Sequence, residues 1–179
     1  RSDGRRLATA SSDHTATIWD PKNGQSLAKL IGHSDNIRIV EFSPSGERLI
    51  TASDDGTLRL WDASTGRTVG VCTGHKGTVL DAHFSHDGTR LISASSDGSA
   101  RIWSAQSCQQ LVEFDGHTAA VWSASFSNDG TRIVTSSSDG TARIWNPETL
   151  KLESILSGHE KIVRRAIFSR SGRLVLTGS

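Results

Sequence analysis

Methionine and tyrosine are both missing from this 179-residue chain, and cysteine is reduced to Cys72 and Cys108. Those two match no paired-cysteine motif and no metal-ligand spacing. They are expected to be small apolar fillers in a reducing compartment, not a disulfide. No apolar run approaches 18 residues and no signal-peptide core follows Arg1, so no hydrophobic helix is expected to span or enter a membrane. Neither sign of charge is in excess. Twenty Lys and Arg stand against 19 Asp and Glu, a net charge of +1, which leaves no electrostatic footprint for nucleic acid or an anionic membrane. A start at Arg1 with no methionine anywhere is the expectation for a piece of a longer chain. Glycine is plentiful at 17 residues, mostly in turns. Turn density with short apolar alternations argues against helices.

The chain repeats itself every 42 residues. Gly-His recurs at Gly32-His33, Gly74-His75, Gly116-His117 and Gly158-His159; a tryptophan at Trp19, Trp61, Trp103 and Trp145; a phenylalanine at Phe42, Phe84, Phe126 and Phe168; an aspartate at Asp13, Asp55, Asp97 and Asp139. Spacing without drift means one structural unit stacked repeatedly. Within one unit, residues 37–42 alternate as a strand and Ser43-Pro44-Ser45-Gly46 turns the chain. Residues 48–53 alternate again up to the hairpin signal Asp54-Asp55-Gly56, residues 57–61 form a third strand, and residues 68–72 a fourth. Each unit is a four-stranded antiparallel meander (strands a to d), and such a sheet needs neighbours to bury both faces.

Gly-His, a Phe closing strand a, Ser-x-Asp-Gly-[Ser/Thr] and Trp-Asp at these offsets resemble the WD-repeat β-propeller family, over the whole chain. The resemblance implies an all-β fold of blades around a channel, strand a innermost. The expected divisions are a partial blade 1–31, blades 32–73, 74–115 and 116–157, and a partial blade 158–179. It also implies a structural tetrad per blade: His33, Thr51, Asp55 and Trp61; His75, Ser93, Asp97 and Trp103; His117, Thr135, Asp139 and Trp145. The first copy holds Thr9, Asp13 and Trp19, the last His159 and Thr177. The chemistry is self-consistent. A buried indole N–H needs an acceptor, a hydroxyl supplies it and donates onward to imidazole, and the other ring nitrogen donates to Asp. Ser53, Ser95 and Ser137, two residues on and facing the same way, are the fallback hydroxyls.

The same side chains could form a nucleophilic triad, but an active site is needed once and this set recurs, with a Trp over the hydroxyl. No catalytic residue, metal or cofactor is therefore expected. The repeat histidines lie in separate blades, too dispersed for one ion, and His83 and His86 are expected at the surface. His14, where other turns have Gly, needs no functional account. Arg59, Arg101 and Arg143 recur at 42 and are expected to pair with a neighbouring blade's carboxylate.

The resemblance places partner contacts on the face around the channel mouth. Here these are Asn36, Arg38 and Asp54; Thr78, Leu80 and Ser96; Ala120, Trp122 and Ser138; Ile162 and Arg164; and Ser12. Trp122 breaks the tryptophan period, with Arg38, Leu80 and Arg164 as counterparts. It reads equally as an interface hot spot and as local packing over a neighbouring loop.

The strand count is uneven: b occurs five times, a, c and d four times each. Simple closure is awkward, so an open arc cut from a longer array is expected, or two chains forming a roughly eight-bladed ring, with self-association through exposed edges. The expected function is a non-catalytic scaffold binding proteins or peptides, located in the cytoplasm with the nucleus also open. The competing readings are an enzyme at the channel mouth, which would need an off-period acid–base cluster that Asp81, Glu113 and Lys161 do not make, and a sensor module attached to an NTPase or kinase domain.

Overall fold

The computed structural model describes residues 3–179. It contains five antiparallel sheets and no helix among those residues. The first holds β1 (Leu7–Ala10), β2 (Thr15–Asp20) and β3 (Gln25–Ile31). Three four-stranded meanders follow: β4 (Ile37–Phe42), β5 (Arg48–Ser53), β6 (Leu58–Asp62) and β7 (Thr68–Cys72); β8 (Val79–Phe84), β9 (Arg90–Ser95), β10 (Ala100–Ser104) and β11 (Gln110–Phe114); β12 (Val121–Phe126), β13 (Ile133–Ser137), β14 (Ala142–Trp145) and β15 (Leu152–Leu156). β16 (Arg165–Phe168) and β17 (Val175–Gly178) form the fifth. The chain is thus all-β, built of propeller-type blades, with the a strands β4, β8, β12 and β16 adjacent to one another.

The core lies between sheets, not within them. Leu49 and Trp61 pack back on Ala16, Ile18 and Leu30 of the first sheet. Ile50 and Leu60 face forward onto Leu91 and Trp103, and Ile92 and Ile102 onto Ile133 and Trp145. Strands b and c are apolar on both faces because each is sandwiched, whereas the outer strands β7, β11 and β15 alternate.

Two bulges recur. One falls in strand a, between Ile37 and Ile39, Val79 and Asp81, and Val121 and Ser123. The other lies opposite the c-strand tryptophans. A bulge leaves one residue out of the ladder and re-aims its side chain. In strand a that residue is Arg38, Leu80 or Trp122.

The cysteines correct the sequence expectation. Cys72, ending β7, and Cys108, in the turn before β11 of the next sheet, form a disulfide with Cα atoms 4.6 Å apart. The period hides this pair, because the two occupy different repeat positions and meet only when successive sheets stack.

Candidate partner-binding face

In the three complete blades the tetrad closes through one hydroxyl. Trp61 Nε1 donates to Thr51 Oγ1 at 2.9 Å, Thr51 meets His33 Nε2 at 2.7 Å, and His33 Nδ1 meets Asp55 Oδ2 at 2.7 Å. The equivalents are Trp103–Ser93 (2.8 Å), Ser93–His75 (2.8 Å) and His75–Asp97 (2.9 Å), then Trp145–Thr135 (2.9 Å), Thr135–His117 (2.8 Å) and His117–Asp139 (2.8 Å). Because the indole donates to the hydroxyl oxygen, the hydroxyl proton goes to Nε2 and the ring proton sits on Nδ1, facing Asp. Burial holds the three imidazoles below their ordinary pKa, partly offset by each Asp. Burial also opposes ionisation of the aspartates, but hydrogen bonds from the turn hydroxyls, turn N–H groups and imidazoles outweigh it and keep Asp55, Asp97 and Asp139 low. The resting state is neutral imidazole beside carboxylate. Ser53, Ser95 and Ser137 do another job, each accepting the N–H of the turn Asp.

Thr51, Ser93 and Thr135 are fully buried and donate to imidazole under an indole, so no hydroxyl faces a substrate. Each tetrad histidine stays in its own sheet. Thr9 accepts from Trp19 (2.8 Å) in the first sheet, and His159 meets Thr177 (2.8 Å) in the last.

The recurrent arginines lie over their own blade's Gly-His glycine. A Cβ on Gly74 would fall 2.5 Å from Arg101 Nη1, and one on Gly116 would fall 2.9 Å from Arg143 Nη1, so each arginine would have to shift, and φ of +150° and +154° favours glycine at both positions. For two of the three the carboxylate partner is within the blade, Arg101 to Glu113 (3.1 Å) and Arg143 to Asp139 (3.6 Å), not on a neighbour as the period suggested.

The d–a loops and b–c turns share one face, since Asp54 N–H donates to Asn36 O, Ser96 N–H to Thr78 O and Ser138 N–H to Ala120 O. The a–b and c–d turns share the other, where Ala63 N–H donates to Glu47 O. On the first face two clusters form. Asp54 accepts from Arg38 (Nη2 at 3.1 Å, and Nε) and from Asn36 Nδ2 at 3.2 Å. Arg38, with Asn36 and Thr78 assisting, holds the Asp54 carboxyl below its ordinary range. In the second cluster Trp122 Nε1 donates to Ser138 Oγ at 2.6 Å, and the Arg164 guanidinium lies 4.9 Å from the Trp122 ring centre. Trp122 is half-buried and Arg164 exposed. Leu80 is half-buried, Ala120 is half-buried, and Ser96, Ser12 and Ile162 are exposed.

One cluster escaped the sequence reading. His83 is not a free surface residue: Nδ1 lies 2.5 Å from Glu41 and Nε2 3.1 Å from Asp81. Both carboxylates also accept backbone N–H groups of the next a strand, Glu41 from Phe84 (3.2 Å) and Asp81 from Ala124 (3.4 Å). Ser123 does the same for Ala166 at 3.0 Å. An off-period acid–histidine set therefore exists on the innermost strands, but its acceptors cap strand edges. Glu41 and His83 stand one repeat apart, which was the available signal. Burial would lower the His83 pKa, but Asp81 and Glu41 outweigh it and push it up to about 10. His83 is therefore protonated in the fold, and its contribution is complete below the unfolded value of 6.5 and lost as pH rises toward 10. Urea midpoints at pH 6, 8 and 10 are expected to show His83→Gln destabilised most at pH 6, with the gap closing by pH 10.

The model of the "WD domain, G-beta repeat" family matches residues 1–20, 24–62, 66–104, 108–146 and 150–179. Its unit runs from strand d through a, b and c, one strand out of step with the blade. Ribosome assembly protein 4 of Chaetomium thermophilum is 46% identical over 43 residues, 23% of this chain and 8% of its own. Nuclear distribution protein PAC1-2 of Postia placenta is 49% identical over 43 residues, 24% of this chain and 10% of its own. WD repeat-containing protein 37 of Xenopus tropicalis is 41% identical over 39 residues, 22% and 8% respectively. Each match spans about one repeat and a tenth or less of the relative's length. With family matches along nearly its whole length and blades to fit them, this chain belongs to the WD domain, G-beta repeat family.

Proposed function

We propose that this chain is a non-catalytic scaffold that presents its loop face to protein or peptide partners. The observation that carries this is the strand a bulge, which takes Arg38, Leu80 and Trp122 out of the ladder and aims them at one face. The scaffold repeats but the chemistry at that position does not, as a recognition surface requires. Three supports agree with it. Family members typically bind other proteins. The tetrad hydroxyls are buried, and the acid–histidine set on the inner strands is engaged by backbone N–H groups. Trp122 supplies a large rigid aromatic with its polar atom already satisfied, next to a cation, which suits an anchor at an interface.

Peptides selected from a random display library against the wild-type chain are expected to lose roughly tenfold or more in affinity for Trp122→Ala. They should keep it for Glu148→Ala on the opposite face, with thermal transitions of all three within a few degrees. Binders that ignore Trp122→Ala, or a Trp122→Ala chain that melts far below wild type, would remove the residue from recognition and assign it to packing.

A further inference from the structure

The three recurrent arginines are not equally provided for. Arg101 reaches out to its sheet's outer strand, where Nη1 donates to Gln110 Oε1 at 3.0 Å and Nη2 to Glu113 Oε1 at 3.1 Å. Arg143 has Asp139 at 3.6 Å. Arg59 has neither. In β7 the positions of Gln110 and Glu113 are held by Thr68 and Val71, and Val71 pairs with Arg59 in the ladder. The Arg59 guanidinium lies over Gly32, where a Cβ would fall 2.7 Å from Nη1. It is half-buried, its Nε is enclosed, and nothing among the described residues accepts a hydrogen bond from it. A cation drawn partly out of water without an acceptor is costly until an anion reaches it.

The same sheet has the least guarded edge. Each outer strand leaves one row of backbone N–H and C=O groups unpaired. A charged side chain blunts that edge in β3 (Lys29), in β11 (Glu113) and in β15 (Glu153). β7, with the sequence Thr-Val-Gly-Val-Cys, carries no charge and exposes Val69 and Val71 at 39% and 37%. Its last residue is tied to the third sheet by the Cys72–Cys108 bridge, so the edge is held as a fixed template.

We propose that β7 takes an extended acidic segment of a partner protein as an added strand, and that a glutamate of this segment gives Arg59 the carboxylate that Glu113 gives Arg101. An added strand lies about 10 Å from β6, two strand spacings, a gap that an outstretched arginine and a glutamate span together over Val71. Ladder bonds along β7 supply affinity, and the charge-assisted pair fixes the register. A second copy of this chain is the poorer occupant, because β7 paired with β7 brings no carboxylate to Arg59. The site is separate from the loop face proposed above for partner recognition.

The probes are short Thr- and Val-rich peptides, each with one Glu at a different central position and each with a Gln twin. The best Glu peptide is expected to bind wild type roughly tenfold or more tightly than its twin, and to slow amide hydrogen exchange across residues 68–72. Arg59→Gln should bind the two twins equally. Val71→Glu gives Arg59 a carboxylate of its own, as β11 does, and puts a charge on the edge. It should fold, as a thermal melt will check, and bind neither twin. Trp122→Ala should bind the Glu peptide like wild type. The proposal is overturned by no Glu-dependent binding up to about 1 mM, by protection on β11 or β15 instead of β7, or by full binding to Val71→Glu. Binding lost in Trp122→Ala, or a wild-type dimer that protects residues 68–72 without peptide, would overturn it equally.

Discussion

Replacing Trp103 by alanine is expected to cost about 3–5 kcal/mol, the range for a large buried aromatic truncated in a packed core. Trp103 is fully buried, packs with Ile50, Leu60 and Leu91, and sits edge-on to His75 at 5.8 Å. Its truncation opens a cavity between the second and third sheets. It also removes the indole bond that helps fix the Ser93 hydroxyl, so His75 and Asp97 lose their alignment. Since whole domains are stable by only about 5–15 kcal/mol, this single change should bring the chain close to unfolding at room temperature. Trp19→Ala is the internal control. It occupies the same repeat position and bonds the equivalent hydroxyl, that of Thr9, but it is half-buried, and among the described residues no histidine joins the pair. Its cost should stay near 1 kcal/mol. Urea denaturation of the two variants decides the matter. Equal losses would mean that burial between sheets is not what the tetrad provides.

Reduction of Cys72–Cys108 is expected to destabilise the chain by about 3–4 kcal/mol. The bridge closes a loop across a sequence separation of 36, and opening it restores that loop's freedom to the unfolded chain. It also unfastens the outer strand of the second sheet from the third. Wild type should melt several degrees lower with reductant than without, and Cys72→Ala should melt at the lower temperature in both conditions. Cys72 is the better site to alter, because its backbone is ordinary strand. Cys108 has φ of +57°, in a turn position that Gly24 and Gly66 fill elsewhere, so changing it would mix backbone relief with loss of the bridge. An unchanged wild-type melt under reductant would show the two thiols as packing groups after all.

The correction at these cysteines shows where the sequence was mute. Most of what lies inside one unit was legible, because the same requirement is written several times: an indole needs an acceptor, so Thr51, Ser93 and Thr135 recur ten residues before their tryptophans; a backbone at φ of +150° or +154° needs glycine, so Gly74 and Gly116 recur. Strands β4 to β7 follow from alternation and turn residues alone. What passes between units is harder to see. Cys72 with Cys108, His83 between Glu41 and Asp81, and Arg164 over Trp122 join different repeat positions, or the same position on different sheets. The period sets Glu41 with His83, and Trp122 with Arg164, at one repeat position, but only the stacking of sheets shows that they meet.

By itself, the sequence determined the all-β repeat, its strand boundaries and the polar set that ties each sheet together, because these depend on local spacing and on satisfying every buried donor. The tertiary structure alone decided which side chains meet across the stack: the disulfide, the ion triplet on the inner strands and the stacked cation on the loop face. Those contacts are set by how far each sheet is rotated and shifted against the next, a quantity that comes from the packing of whole faces and not from any one segment of chain.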